Sequence, residues 1–288
     1  MRLASPCKIN LLLNVLGKRA DGFHELETVM QSLPLADELE LQLEPEGIHL
    51  TCDSPSLSAG PENLVFQAAT SFLSYAEIQE GARIHLQKKI PLEAGLGGGS
   101  SNAATTLLGL NQLHGNPLSR EALHNIAASI GSDIPFFLEA GPAMATGRGE
   151  HIMRLPAFPA LQNRGLLLIH PGFGIATPWA YRELSKYPET LNGKPGLAER
   201  LIHQLQDPDL AAAGALLFNS LEKPALKKYP LLAMFQSFLK SNGSKAVLMS
   251  GSGTATFAIT SSLQAAEVLG DLFKKEFGKT HWTAVMGL

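Results

Sequence analysis

Cysteine is nearly absent from this chain: two, Cys7 and Cys52, in 288 residues. Without metal-ligand spacing they exclude a disulfide scaffold and a zinc module, and they suit a reducing compartment such as the cytoplasm. An excess of basic charge is also lacking. The 23 Lys and Arg against 26 Asp and Glu leave a net charge of −3. No broad surface is set up to neutralise a phosphate backbone, so nucleic acid is not an expected partner. Long apolar runs are missing too. The longest stretch of only apolar and glycine residues, 210–218, is far short of the roughly 18 that a membrane span needs. Lys8, Asn10 and Asn14 break the apolar N-terminus, which argues against a signal peptide. What remains, 45% apolar and 17% charged residues, is a globular balance rather than a disordered one.

At about 150 residues per domain the length suggests two domains. Cys7, Ile9, Leu11, Leu13 and Val15 alternate with Lys8, Asn10 and Asn14, a half-buried strand that puts Lys8 and Asn10 on one face. Leu39, Leu41 and Leu43 predict a second strand, and Ile84 and Leu86, extending toward Ile90, a third. Apolar residues at helical spacing follow Asn63 from Leu64 to Leu73, and Ser119 reads as the cap of a helix ending at Gly131. Glycine and proline crowd residues 140–159, the expected domain boundary. Beyond it, Thr177-Pro178 predicts a helix start with Thr177 as cap. A β, helices, β, β, α, β order then fits a ferredoxin-like domain with extra helices.

The chemistry concentrates in Pro91-Leu92-Glu93-Ala94-Gly95-Leu96-Gly97-Gly98-Gly99-Ser100-Ser101-Asn102. Four glycines let the backbone curl with positive φ, expected at Gly98 among others, and let a ligand approach. Successive N–H groups and a helix start behind them make an anion site, for which phosphate is the natural guest. No lysine follows Gly99, so this is not a Walker loop, and Ser100 stands where a dinucleotide fingerprint needs its last glycine. Asp133 precedes the apolar Ile134-Pro135-Phe136-Phe137. It is either a turn residue before proline or a carboxylate kept for chemistry, because burying it unpaired is costly. Asn63 caps a helix or meets a ligand; both readings stay open.

The segment Gly95-Leu96-Gly97-Gly98-Gly99-Ser100-Ser101-Asn102-Ala103 resembles the phosphate loop of the GHMP kinases. Lys8-Ile9-Asn10-Leu11 resembles that family's first motif and Ser250-Gly251-Ser252-Gly253 its third. Asp21-Gly22-Phe23-His24, Asp133-Ile134-Pro135-Phe136-Phe137 and His170-Pro171-Gly172 narrow the resemblance to the branch whose alcohol substrate carries a cytidine diphosphate group. The resemblance implies an α+β two-domain fold. Residues 1–155 would form the N-terminal, ribosomal-protein-S5-like domain and 156–288 the C-terminal, ferredoxin-like one. It also implies ATP and Mg²⁺. Asn63, Pro91, Gly95, Leu96, Gly97, Gly98, Gly99, Ser100 and Ser101 would hold ATP. Ser100 or Ser101 is the candidate metal contact. Lys8 and Asp133 would be catalytic, and Asn10, Phe23, His24 and Tyr181 would bind substrate. The implied reaction is phosphorylation of the 2-hydroxyl of a cytidine-diphosphate-linked methylerythritol in isoprenoid precursor synthesis. Phe23 departs from the branch, which often has tyrosine there. Competing expectations are a homoserine- or mevalonate-type kinase of the same family and an inactive binding relative.

Overall fold

The computed structural model describes residues 1–191 and 194–288. The strands and helices, in chain order, are β1 (Arg2–Lys18), β2 (His24–Glu44), β3 (Ile48–Cys52), α1 (Leu64–Tyr75), β4 (Gly81–Gln87), α2 (Gly98–Leu113), α3 (Arg120–Ile130), β5 (Ala143–Gly147) and β6 (His151–Arg154). There follow β7 (Gly165–His170), α4 (Thr177–Leu184), α5 (Leu197–Leu205), α6 (Leu210–Gly214), β8 (Phe218–Asn219), α7 (Glu222–Lys228), α8 (Pro230–Ser241), β9 (Ala246–Met249), β10 (Thr256–Thr260), α9 (Leu263–Phe277) and β11 (Trp282–Gly287).

Two sheets organise them. The first runs β3-β4-β2-β1-β8, with the β5–β6 hairpin joined to β2. Strand β2 is long enough to pair with β5 over Leu26–Met30 and with β4 over Glu38–Glu44 while β1 lies along its other edge. Helices α1, α2 and α3 bury Phe72, Leu107 and Ile126 against this sheet. The second sheet is antiparallel, β11-β7-β10-β9. Its outer face is covered by Phe235 of α8 and Phe273 of α9, and its inner face shares a core with Ile9 and Leu11 of β1. The order is the expected ferredoxin-like one with helices inserted, and β8 leaves that domain to pair in parallel with β1 through Leu12 and Leu13.

Several local expectations change. Strand β4 stops at Gln87 and does not reach Ile90. The reason is that the next N–H groups go to carboxylates: Lys88 to Asp53, and Lys89 and Ile90 to Asp37. Thr177 is the first residue of α4, not its cap; Ala176 holds the cap position and the Thr177 hydroxyl meets Ser252 at 2.9 Å. The glycine- and proline-rich stretch expected as a boundary contains the β5–β6 hairpin. Ser119 caps α3 as predicted, accepting from Ala122 N. Cys7 lies in the core and Cys52 is half-buried; both are free of disulfides.

Candidate active site

A cavity of about 1570 Å³ opens where the two sheets meet, and the glycine loop forms its floor. The loop's geometry is fixed from behind. Gly95 adopts φ +74°, and a Cβ there would stand 2.0 Å from the carbonyl of Ser250. Ser250 in turn donates its hydroxyl to the Gly95 carbonyl at 2.9 Å and accepts from Asn10 N at 3.2 Å. The third glycine-rich segment therefore props the first loop from the second sheet. Gly97, φ +70°, caps α2; a Cβ there would meet Phe137 at 2.8 Å and Lys8 at 3.0 Å. Gly98, expected at positive φ, is instead the first residue of α2. A side chain there would press on Ile90 and Lys88 rather than strain the backbone. Helix geometry leaves the N–H groups of Gly98, Gly99 and Ser100 without acceptors inside α2, so the positive end of its dipole faces the cavity.

Lys8 and Asp133 arrive from β1 and from the turn after α3, and the structure brings them together at 3.4 Å. The Lys8 side chain is only 3% exposed, whereas the Asp133 side chain is 41% exposed. Lys8 is aimed by Asn10 Oδ1 at 2.5 Å and the Gly95 carbonyl at 3.3 Å. Asn10 is held in turn by donating to Thr28 Oγ1 at 2.8 Å. The apolar residues after Asp133 explain its placement. Ile134 and Phe136 are fully buried, and Phe137 reaches under Gly97. The carboxylate is thus tied to the loop while its oxygens stay accessible.

Phe23, His24 and Tyr181 all line the same cavity. Phe23, at the β1–β2 turn, is 51% exposed. The Arg148 guanidinium lies over its ring, 4.7 Å from the centroid. His24 rests against Tyr181 with centroids 4.9 Å apart and planes tilted by 32°. Burial, and secondarily the Lys18 charge, lower the His24 pKa, so its imidazole is neutral near pH 7. Burial and the charge of Asp133 push the Tyr181 phenol up. Tyr181 is delivered by α4, whose Ala180 and Leu184 pack with Leu13, Val15 and Leu26 of the first sheet.

The remaining candidates separate cleanly. Pro91, Gly95, Leu96, Gly97, Gly98, Gly99 and Ser100 line the cavity. Ser101 does not: it is fully buried, and its hydroxyl accepts from Ser5 at 2.8 Å. Asn63 is the cap of α1, accepting from Val65 N at 2.9 Å and donating to the Ser58 carbonyl at 2.6 Å. Its neighbour Leu64, not Asn63, is on the cavity wall. Sequence reasoning missed Lys88 and Arg148. Lys88 is ion-paired to Asp37, donates to Asn102 Oδ1 at 3.1 Å and stands beside the first turn of α2.

Among the described residues no cluster of His, Cys, Asp and Glu suits a metal ion. Mg²⁺ carried largely by phosphates and water needs no cage of its own. Of the two serines, Ser100 is the one that faces the cavity.

A glycine loop at a helix start, facing a buried lysine and an accessible aspartate, defines a phosphotransferase of the GHMP kinase class. The model of the GHMP kinases N terminal domain matches residues 63–141, and that of the GHMP kinases C terminal matches residues 201–279. The 4-diphosphocytidyl-2-C-methyl-D-erythritol kinase of Syntrophus aciditrophicus is 43% identical over 264 residues, 90% of this chain and 89% of its own. That of Pelotomaculum thermopropionicum is 40% identical over 269 residues, covering 93% and 92%. A crystal structure of 4-(cytidine 5′-diphospho)-2C-methyl-D-erythritol kinase superposes with TM-score 0.80 at 34% identity over the whole of both chains. A homoserine kinase from Cytophaga hutchinsonii, at 22% identity and TM-score 0.74 over 99% of this chain and 93% of its own, shares the fold. The chain belongs to the 4-diphosphocytidyl-2-C-methyl-D-erythritol kinase family of small-molecule kinases.

Proposed function

We propose that this protein uses ATP to phosphorylate the 2-hydroxyl of 4-diphosphocytidyl-2-C-methyl-D-erythritol, in the cytoplasm, as a step toward isoprenoid precursors. The observation that carries this is the joining of two sites in one cavity. The Lys8–Asp133 pair stands at the phosphate loop, and three rings able to hold a nucleobase line the same space.

ATP lies with its phosphates along 95–100, against the N–H groups of α2, and its base toward Leu57 and Leu64. When bound, Mg²⁺ screens the phosphate charge. Asn10 and Asp133 hold the acceptor hydroxyl, and Asp133 accepts its proton as the oxygen attacks the γ-phosphorus and the bond to ADP breaks. Lys8 neutralises charge that grows on the transferring group. The cytosine stacks between Tyr181 and the face of Phe23 that Arg148 leaves free. Stacking tolerates any base, so the choice falls to hydrogen bonds at the base edge. A neutral His24 offers one donor and one acceptor for this. Phe23, without a hydroxyl, supplies only the stack.

ADP release is the measurement. Turnover is expected with the cytidine diphosphate substrate and not with homoserine or mevalonate. Turnover of either of those at a comparable rate, or none with the cytidine substrate, would sink the reading.

A further inference from the structure

Arg148 is on the cavity wall, yet neither the chemistry of the Lys8–Asp133 pair nor the base-holding rings needs it. Its position is built rather than incidental. It sits at the tip of the β5–β6 hairpin between Gly147, φ +73°, and Gly149, φ +116°, two conformations that side chains rarely adopt. Glu150 closes the turn, accepting from Arg148 N at 2.6 Å and from Arg148 Nε at 3.3 Å. Burial would raise the Glu150 pKa, but hydrogen bonds from its own N–H and from Arg148 outweigh it and hold the carboxyl down. On its other side the guanidinium lies on Phe23. Among the described residues its two terminal nitrogens have no hydrogen-bond partner, so the fork is held by its stem and its flat face and presents its tips.

Arg148 and its neighbour Gly149 adjoin two places the reaction has to connect. One is the Phe23 ring, 4.7 Å from the guanidinium carbon. The other is Asp133, whose Oδ1 lies 3.8 Å from where a Cβ of Gly149 would be. A substrate with its base at Phe23 and its alcohol at Asp133 must thread its diphosphate between them. The other cations on the wall are less suited. Lys8 and Lys88 meet a phosphate as point charges rather than as a fork, and Lys18 and Arg182 are exposed, whereas Arg148 is ion-paired to Glu150 through Nε alone. A planar, preorganised fork matches phosphate oxygens two at a time.

The geometry points to Arg148 as the residue that grips the diphosphate of the nucleotide-linked substrate and so fixes the distance from base to reacting hydroxyl. This rests on the substrate reading above and sharpens it. Glu150 is then a positioning residue, acting through the guanidinium.

The test compares inhibition constants of CDP and of cytidine, each against the full substrate, in wild type and in Arg148→Met. Losing charged hydrogen bonds should weaken CDP roughly 10- to 150-fold. Cytidine should change by less than about 3-fold, because its stack remains. KM for the substrate should rise in step with CDP, and KM for ATP should hold. An equal loss for both ligands would mean that Arg148 only props Phe23 and would overturn the proposal. So would unchanged CDP binding. If Arg148→Met does not fold, Arg148→Lys keeps the charge and loses the fork. It should show the same selective loss of CDP at smaller size, and wild-type CDP affinity in it would overturn the proposal too. Wild type that ignores both CDP and cytidine would overturn the parent reading as well, which separates the two failures.

Discussion

Two lysine–aspartate pairs flank the glycine loop, and they are chemically alike and physically opposite. At Lys88–Asp37 the carboxylate is completely buried and every approach to it is occupied. It accepts from Lys88 Nζ, from Lys89 N at 2.7 Å, Ile90 N at 2.8 Å and Asn102 Nδ2 at 3.0 Å. At Lys8–Asp133 the lysine is the buried partner and the carboxylate is open, at a looser 3.4 Å. Each lysine also has an asparagine companion, Asn102 for the first and Asn10 for the second. The saturated pair ends β4 and anchors the loop. The unsaturated one leaves its carboxylate open to the cavity. Residue type alone does not distinguish the two pairs; the number of unfilled positions on the carboxylate does.

Removing the open carboxylate's charge is the strongest way to test that contrast. Asp133→Asn should lower kcat by about 10²–10⁴-fold, the usual range for a lost general base. ATP affinity and melting temperature should stay near wild type. A mutant keeping most of the rate would erase the distinction. Next comes Asp37→Asn, which strands a lysine whose side chain is 7% exposed. Breaking one side of a buried pair costs about 3–5 kcal/mol, to be read as a lower midpoint in urea. Unchanged stability with lost ATP binding would show that this pair serves the nucleotide rather than the fold. The smallest effects should come from the companions. Asn102→Ala should cost about 1–3 kcal/mol of stability by leaving Asp37 and Ser5 short of a donor. Asn10→Ala should lower kcat roughly 10-fold with a smaller change in stability, because Lys8 loses its aim. The reverse assignment in these two variants would invert the comparison.

Much of this was legible in the chain. Period-2 alternation in β1 put Lys8 and Asn10 on one face, and the letters of the glycine loop announced a tight curl at a helix start. What stayed hidden has physical causes. β8 is two residues long, too short for any periodicity, and exists because β1 offers it an edge. The β5–β6 hairpin hid behind the glycines that make its turns, and Arg148 with it. Ser100 and Ser101 are neighbours in sequence, but adjacent helix positions point about 100° apart, so one faces the cavity and the other faces Ser5. Asp37 gave no signal because its partners lie some fifty residues away and converge only in the fold.

The contact between Gly95 and Ser250 bears on how the chain tolerates being divided. Its two halves are drawn by convention as separate modules, yet a fragment ending near residue 155 would lose β8 and the prop behind Gly95. Leu12 and Leu13 would then present an unpaired strand edge, the kind of surface that recruits other chains. The glycine loop would keep its letters and lose its backing. Swapping the second half for that of a distant relative meets the same obstacle, because a Cβ at position 95 has only 2.0 Å to the Ser250 carbonyl. The two loops are therefore heritable as one unit, a single joint written in two distant stretches of sequence.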